Sequence, residues 1–361
     1  MERAELDKAL AKIDVEGYLD REGVGFSHSY GTRGQQLNMH ECPACGTSGR
    51  KAYVNADSGL GNCFHGSCGF KFNKFKLIRA VSGLSGKELD EHISNVASEM
   101  GWMPRKVRAE LVQGELELPG KLFPLPINGT DNLQYLQDRG VTHESCSAFS
   151  LSYCHGGWWG YKLADGTQKW VKYDQRVIIP IADLEGNLVS FQGRDVTGLL
   201  DPKYLFPVGF AVAGKHLYNA QNFVNGETTH AIVGEGAFDA IAIHQAILGS
   251  PSCAGMLPVA TFGMHLSDGP DGQIEKFGKL KDRGLKIITM MWDSERAAMA
   301  CAIKMGLKLA GYGFIVRIAT LPPGTDPNEV APEVVRQAIF NAVKLDRMSA
   351  IRMLHAVIST K

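Results

Sequence analysis

Paired cysteines constrain the fold of this chain more than any other feature of its sequence. The four cysteines concerned are Cys42, Cys45, Cys63 and Cys68, in the pattern C-x2-C-x17-C-x4-C. In a reducing compartment, cysteines spaced in this way are more often zinc ligands than disulfide partners. The segments before and after the turn Asp57-Ser-Gly have the composition of two hairpin strands. The pattern therefore predicts a zinc ribbon that holds a structural Zn²⁺.

The identity of one zinc ligand stays open. The second cysteine pair has a wider gap than the two residues usual in such sites, and His65 stands within that gap, two residues before Cys68. His65 is therefore an alternative to Cys63. We expect Cys63 to be the ligand, because thiolates dominate structural zinc sites.

Composition and charge limit the class of protein. The length of 361 residues suggests two or three domains. The sequence has no run of eighteen apolar residues, and its first residues lack the order of a signal peptide. We therefore expect a cytoplasmic protein without a membrane partner. Lys plus Arg and Asp plus Glu balance at 38 each, so a nucleic-acid partner must be bound by a local cluster of cations.

A second feature is a pair of carboxylates that follows an apolar run. The run from residue 285 ends at Asp293, Glu295 comes two positions later, and an alanine-rich helical pattern follows. A continuous apolar run is typical of a strand buried on both faces of a parallel sheet. Ligands of open α/β sheets bind beyond the carboxyl ends of the strands. Two carboxylates this close favour a shared cation, and the alternative is a helix N-terminus, where acids are also favoured.

Two further junctions deliver acidic residues in the same way. Glu235 ends the predicted strand 230–234, and Asp239 follows about one helical turn later. The predicted strand 314–321 leads into a loop with Asp326, where Glu329 is either part of the site or a helix cap. Three strand ends that bring acids to one edge of a sheet predict a site for divalent metal.

The region between the ribbon and these junctions offers cations to a phosphate-bearing ligand. They are Arg176, Arg194, Lys203 and Lys215. For each of them the alternative is a solvated surface charge. Within residues 70–76, phenylalanines alternate with lysines, which suits a surface that stacks the bases of single-stranded nucleic acid. Packing of the phenylalanines against the ribbon explains that alternation equally well.

The order of the motifs resembles the bacterial DnaG-type DNA primases and their phage relatives. After the ribbon come Tyr-Leu-x-x-Arg-Gly, Arg-Val-Ile-Ile-Pro-Ile-x-Asp-x-x-Gly, Gly-Arg, Pro-Lys-Tyr-Leu, Leu-Tyr-Asn and Glu-Gly-x-x-Asp-Ala. The acidic motifs alone are similar to the Toprim fold, which topoisomerases and some nucleases share. The basic motifs favour the primases among these classes.

The resemblance implies a multi-domain chain of α+β and α/β class. The expected parts are a zinc-ribbon template-recognition domain with flanking helices (1–103), a linker (104–120), an α+β N-terminal subdomain of the primase core (121–228), a Toprim-type α/β metal-binding subdomain (229–332) and a C-terminal helical tail (333–361).

The resemblance also implies an activity, which is the synthesis of RNA primers from nucleoside triphosphates on a single-stranded DNA template. The implied catalytic and metal-binding residues are Glu235, Asp239, Asp293, Glu295 and Asp326, with Mg²⁺ or Mn²⁺ as the ion. The basic residues named above would face template or nucleotide. The implied partner is a separate replicative helicase, in the cytoplasm of a bacterial cell or a phage-infected host. The alternative function is that of a Toprim-type nuclease or another metal-dependent DNA-processing enzyme.

The sequence departs from the family at several positions. Asp293-Ser-Glu295 stands where the family has Asp-x-Asp, and the loop between Cys63 and Cys68 is longer. The segment Gly209 to His216 approaches a phosphate-binding P-loop, but His216 replaces the Ser or Thr that would hold magnesium.

Overall fold

A computed structural model of the chain describes residues 3–31, 34–100, 111–112, 116–129, 133–163, 166–200, 202–210, 212–264 and 266–359. The chain forms two compact units, of which unit 1 contains residues 1–113 and 161–168, and unit 2 contains residues 114–160 and 169–361. Most of the predicted linker, residues 104–110 and 113–115, lies outside the described residues. No helix in the described part of the chain is long and apolar enough to cross a membrane.

Unit 1 combines one antiparallel sheet with four helices. Its elements are α1 (Arg3–Lys12), α2 (Val15–Arg21), β1 (Phe26–Gly31), β2 (Gly34–Glu41), β3 (Ser48–Asn55), β4 (Gly61–Cys63), β5 (Lys71–Phe72), α3 (Lys74–Ser82), α4 (Gly86–Met100) and β6 (Leu111–Val112). The first five strands form a sheet in the order β1-β2-β3-β4-β5.

The sheet of unit 1 buries one face and exposes the other. On β3, Ala52 and Val54 are fully buried, and Val54 pairs with buried Leu37 on β2. Ala52 pairs with Cys63 on β4, so the two cysteine pairs are brought together by a hairpin. Side chains along a strand alternate between its faces, which explains why only one face of the sheet is buried. The pairing of β3 with β4 confirms the predicted ribbon-like hairpin.

The phenylalanines between residues 70 and 76 pack inside unit 1. Phe72 is buried in the core beneath the sheet, and Phe70 packs against the same core. Phe75 packs against a second core formed by the helices. Lys74 Nζ donates a hydrogen bond to the carbonyl oxygen of Ile13 at 2.9 Å. The contacts of all three rings support the packing interpretation, and burial excludes base stacking for Phe72, while Phe70 and Phe75 are only partly buried.

Unit 2 contains two five-stranded sheets, and strands β9 and β10 extend across the division between the units. Its elements begin with β7 (Leu122–Pro124), α5 (Gln134–Asp138), α6 (His143–Ala148), β8 (Ser152–Cys154), β9 (Trp158–Leu163), β10 (Gln168–Lys172), β11 (Arg176–Ala182), β12 (Leu188–Asp195) and β13 (Tyr204–Leu205). They continue with β14 (His230–Gly234), α7 (Ala237–Ile247), β15 (Met256–Ala260), α8 (Gln273–Asp282), β16 (Ile287–Met290), α9 (Arg296–Gly311), β17 (Ile315–Ile318), α10 (Pro332–Phe340), β18 (Val343–Lys344) and α11 (Arg347–Ser359).

The first sheet of unit 2 is antiparallel and has the order β13-β12-β11-β8-β7. Val177 and Ile179 on β11 share a buried cluster with Phe238 and Ile241 on α7. The sheet therefore packs on α7, which places β12 and β13 beside the N-terminus of that helix.

The second sheet has the order β15-β14-β16-β17-β18. The first four of these strands are parallel, and β14, His230–Gly234, is buried along its whole length. Its neighbour β16 is largely buried as well. The continuous apolar runs of the sequence are thus buried parallel strands, as expected for a sheet that helices cover on both faces.

Two of the predicted segments contain short strands that the sequence did not predict, and their boundaries remain predictions. The tail predicted to be helical contains strand Val343–Lys344, which pairs antiparallel with β17 and forms an edge of the second sheet. The predicted linker contains strand Leu111–Val112, which pairs with the end of β9. Both strands are only two residues long, and their sequences carry no recognisable alternation.

Candidate functional site

Three strand-to-loop junctions of the second sheet bring acidic side chains to one pocket. Glu235 follows β14 directly, Asp293 follows β16, and Asp326 lies in the loop after β17. These strands are parallel neighbours, so their carboxyl ends meet at the same edge. All three side chains line a pocket of about 410 Å³. With Asp239, which also lines the pocket, the structure brings together four of the five acids that the sequence predicted.

The environment of these acids favours their protonated forms. Burial raises the pKa of Glu235 to about 7, and the negative charges of Asp293 and Glu295 contribute to the shift. Burial together with the charge of Asp326 raises the pKa of Asp293 to about 6. Carboxylates that repel one another in a partly buried pocket bind protons or cations more readily than isolated ones. A divalent cation would relieve this repulsion.

Asp239 also lines the pocket, and it stabilises the turn that carries Glu235. Its side chain is only 6% exposed, and Oδ2 accepts hydrogen bonds from the backbone N–H groups of Glu235 (3.1 Å) and Gly236 (2.7 Å). Those N–H groups stand at the N-terminus of α7, where a carboxylate is favoured. This geometry supports a positioning role for Asp239, whose predicted catalytic role remains a proposal.

Glu295 occupies a different place from the other acids. It is the exposed residue before α9, its side chain caps no backbone N–H, and it does not line the pocket. Its charge nevertheless contributes to the raised pKa values of Glu235 and Asp293. Glu295 is therefore near enough to act on a bound cation electrostatically, and its direct ligation remains a prediction.

Ser294, between the two acids of the motif, connects two of the junctions. Its Oγ donates to the carbonyl oxygens of Pro322 (2.8 Å) and Thr325 (3.1 Å), and the N–H of Thr325 donates back to Ser294 Oγ at 3.0 Å. The loop that carries Asp326 is thereby attached to the end of β16. Glu329 lines the pocket, and α10 begins only after Ala331, so the helix-cap interpretation of Glu329 is wrong.

Cations and aromatic rings also line the pocket. Arg139 and Lys203 line it together with Tyr204. Arg194 is buried with its guanidinium 4.6 Å from the ring centroid of Tyr204 and 5.2 Å from that of Tyr135. Burial and the positive charges of Arg194 and Arg139 lower the pKa of Lys203. Arg139 and Lys203 line the pocket with Arg194 beside them, and this concentration of positive charge favours an anionic group of a ligand.

Two predicted cations are placed differently. Arg176 is 3% exposed, and its guanidinium donates to the carbonyl oxygens of Gly193, Pro202 and Lys203. It therefore supports the chain around Lys203, and these hydrogen bonds to backbone carbonyls argue against a direct contact with template. Lys215 is exposed and does not line the pocket.

Arg139, Ser294 and Asn328 were not assigned to the site from the sequence. Arg139 belongs to the Tyr-Leu-x-x-Arg-Gly motif, which was the available signal for it. The two polar residues act through tertiary hydrogen bonds, which a motif of acids does not reveal.

The four paired cysteines form the second candidate site, in unit 1. Their Sγ atoms all lie within 4.8 Å of one another, and those of Cys45 and Cys63 are 3.9 Å apart. A tetrahedral zinc with bonds of about 2.3 Å separates its sulfur ligands by roughly 3.8 Å, so the set fits Zn²⁺. His65 lies outside this group, and its Nδ1 is 3.1 Å from Thr47 Oγ1. The structure thus favours Cys63 over His65.

The acidic pocket is more open than the cysteine site. Among the described residues, the cysteines are the group of three or more potential metal ligands whose ligand atoms all lie within 4.8 Å of one another. The carboxylates around the pocket fit hard divalent cations in donor chemistry, because Mg²⁺ prefers oxygen ligands and retains several waters. Such a site needs one or two carboxylates and the phosphates of a substrate, rather than a closed protein cage.

Comparisons with known proteins bear on this arrangement. Residues 232–331 match a family model described as Toprim-like. A DNA primase of Staphylococcus aureus is 26% identical over 335 residues, which cover 82% of this chain and 52% of that protein. A DNA primase of Escherichia coli (strain K12) is 24% identical over 347 residues, which cover 84% of this chain and 56% of that protein.

The chain contains a Toprim-like domain and is related to the bacterial DNA primases. The Toprim-like match includes the end of β14 and all of β16 and β17, and therefore all three junctions that line the pocket. The chain spans about half the length of the curated relatives it matches.

Solved structures give likenesses of the same kind. The zinc-binding and RNA polymerase domains of the Aquifex aeolicus primase match with a TM-score of 0.46 and 17% identity, over 98% of this chain and 91% of that chain. The E. coli primase catalytic core matches with a TM-score of 0.48 and 22% identity, over 62% of this chain and 76% of that chain.

Proposed function

We propose that this protein synthesises RNA primers on single-stranded DNA from nucleoside triphosphates. The observation that carries the proposal is the pocket in which the acids of the Toprim-like domain face Arg139 and Lys203. Nucleotidyl transfer needs oxygen ligands for divalent cations and positive charge for the triphosphate, and this pocket supplies both. The named relatives that match 82% of the chain are DNA primases, which supports the same activity.

The acids and the cations have separate tasks in this proposal. Glu235, Asp293 and Asp326 would hold Mg²⁺ or Mn²⁺, which when bound makes the attacking 3′ hydroxyl more acidic and stabilises negative charge on the transferring phosphoryl group. Arg139 and Lys203 would hold the phosphates of the incoming nucleotide in line with that hydroxyl. Positioning and electrostatic stabilisation account for most of the rate in phosphoryl transfer.

The contacts of Arg194 with two aromatic rings suggest how template or nucleotide is bound. Arg194 lies against the rings of Tyr135 and Tyr204, so its guanidinium keeps a fixed direction. A buried guanidinium with fixed geometry binds phosphate oxygens at a low entropic cost. We expect Arg194→Ala to weaken binding of template or nucleotide and to reduce the salt dependence of binding.

The outer face of the unit 1 sheet is the proposed contact for template. Phe64 is 67% exposed and its ring stacks on that of Tyr53, with centroids 5.3 Å apart. Lys51 stands opposite Phe64, and Lys71 pairs with Asn62 on the neighbouring strand. Exposed rings beside lysines and amides suit the stacking of unpaired bases and the binding of their phosphates.

The test of the proposed function compares two reactions of the same protein. With a labelled ribonucleoside triphosphate, single-stranded DNA and Mg²⁺, we expect short labelled RNA whose formation requires the template. With labelled DNA and no triphosphates, we expect no cleavage. Cleavage without incorporation would replace the proposal with the Toprim-type nuclease, and binding without either reaction would leave only a DNA-binding protein.

A further inference from the structure

Asn328 stands where the acidic side of the pocket meets its basic side. It lines the pocket, in the loop that carries Asp326. Its Oδ1 accepts a hydrogen bond from Nη1 of Arg139, which comes from the end of α5. Its Nδ2 donates to Asp326 Oδ1 at 2.6 Å and to Asp239 Oδ1 at 3.3 Å. One side-chain amide therefore joins a cation to two carboxylates.

The chemistry of the neighbours fixes the direction of this amide. A guanidinium has only donors, and a carboxylate in the ionised form that binds a cation has only acceptors. The amide oxygen must therefore face Arg139, and the amide nitrogen must face the two acids. An aspartate at position 328 could accept from Arg139, but it could not donate to Asp239 or Asp326. A leucine of nearly the same shape could do neither.

We propose that Asn328 is a positioning residue that holds the acidic side chains of the pocket ready for a divalent cation. This inference rests on the proposed function for its substrate, but its effect on metal binding can be measured without any nucleotide. The hydrogen bond to Asp326 fixes the direction of a proposed ligand. The hydrogen bond to Asp239 acts on Glu235 indirectly, because Asp239 holds the turn of Glu235 through two backbone N–H groups.

Arg139 gives the arrangement a second property. The same guanidinium that donates to Asn328 lies 5.2 Å from the ring centroid of Tyr135 and 5.3 Å from that of Phe238. These two rings limit the directions that the arginine can take. A triphosphate that binds Arg139 would therefore act on the same amide that orients the acids, which couples nucleotide binding to metal binding.

The experiment measures Mn²⁺ binding by the full chain with its zinc retained, by isothermal titration in the absence of nucleotide. Asn328→Leu keeps the size of the side chain and removes its hydrogen bonds, and Asn328→Ala removes both. We expect Mn²⁺ to bind about tenfold more weakly to either variant, the lower range for loss of a residue that orients metal ligands. Asn341→Ala, which changes an exposed asparagine at the end of α10, is the control and should bind Mn²⁺ as the unmodified protein does.

Two further measurements separate positioning from a general loss of structure. The melting temperatures of the Asn328 variants should stay close to that of the Asn341 control. In the primer assay, the Mg²⁺ concentration for half-maximal rate should rise, while the rate at saturating Mg²⁺ recovers. Unchanged Mn²⁺ affinity, or a loss of affinity matched by early unfolding, would overturn the proposal. If the unmodified protein makes no primers but binds Mn²⁺ in an Asn328-dependent way, the proposed function fails and this inference stands.

Discussion

At the residue scale, Glu235 is the side chain on which the proposed chemistry depends most. Glu235→Gln keeps the shape and removes the negative charge, and a neutral amide is a poor ligand for a hard cation. We expect the fold to be unchanged and primer synthesis to fall by at least about a hundredfold. Loss of one group that stabilises charge in the transition state reduces the rate by about this factor. Glu227→Gln, at an exposed position outside the pocket, serves as the control and should retain full activity.

Glu295 provides a sharper test, because its position leaves two roles possible. If Glu295 reaches the cation, Glu295→Asp should preserve primer yield and Glu295→Gln should reduce it nearly as much as Glu235→Gln does. If it acts only as an acid before α9, Glu295→Gln should cost at most about 1 kcal/mol of stability and leave the yield almost unchanged. We expect the first outcome. A normal yield from the Gln variant would remove Glu295 from the site.

The raised pKa values of the acids predict how stability depends on pH. Burial raises the pKa of Glu235 to about 7 and that of Asp239 to about 8. These acids lose their protons near pH 4 in the unfolded chain but keep them to higher pH when folded, so the stability that these two groups contribute is fully present below about pH 4 and is lost as pH rises through 7. Each such group contributes a slope of about 1.4 kcal/mol per pH unit within its window.

The measurement is denaturant unfolding of the magnesium-free protein at a series of pH values. The free energy of unfolding of unit 2 should decrease between about pH 7 and pH 8, above the range in which the buried His216 and His230, whose pKa burial lowers to about 4, have the opposite effect. Glu235→Gln should flatten that decrease, and added Mg²⁺ should oppose it because the cation binds the deprotonated acids. A free energy that rises with pH over this range would contradict the burial of these carboxyl groups.

The acids could be predicted from the sequence because each follows an apolar strand directly. The surroundings of the Arg176 side chain could not be predicted in this way. A basic residue at the start of a strand gives no sign of whether its guanidinium reaches solvent or, as here, three backbone carbonyls. Asn328 was missed for a related reason, since its partners Arg139 and Asp239 lie 189 and 89 positions away in sequence.

At the scale of elements, the parallel strands were the most predictable. Strand His230–Gly234 coincides with an apolar run bounded by polar residues. Such a run predicts a strand that is buried on both faces, and this strand is buried along its whole length. Strand Val343–Lys344 could not be predicted, because both of its side chains are exposed and its pairing with β17 comes from the backbone alone. Edge strands of this length carry almost no pattern in the sequence.

The zinc ribbon is the element whose dependence on metal can be tested separately. Burial raises the pKa of the Cys42 and Cys63 thiols, so without zinc they would be protonated and uncharged. Zinc binding releases those protons and contributes directly to the folding free energy. We expect one Zn²⁺ per chain by metal analysis, and we expect Cys45→Ser to lose it and to loosen unit 1.

The control for that variant is an exchange of a cysteine outside the group. Cys301→Ser, on α9 in unit 2, should retain the zinc. Purified protein without zinc, or a Cys45→Ser variant that keeps it, would show that the paired cysteines are not the ligands.

At the scale of the whole molecule, the division into two units predicts two unfolding transitions. Unit 1 contains the cysteine site, and unit 2 contains the acidic pocket. Because each unit has its own core, Cys45→Ser should shift the transition of unit 1 and leave that of unit 2 unchanged. A single transition that moves as a whole would contradict independent stability. The predicted linker between them stays a proposal.

The central claim is that the acidic edge of the Toprim-like domain carries out metal-dependent nucleotidyl transfer. The most direct measurement is template-dependent incorporation of a labelled ribonucleotide by the unmodified protein and by Glu235→Gln, side by side, over a range of Mg²⁺ concentrations. We expect the amount of labelled RNA made by the unmodified protein to increase with the Mg²⁺ concentration. The variant should make almost none at any Mg²⁺ concentration. Equal incorporation by the two proteins would contradict it.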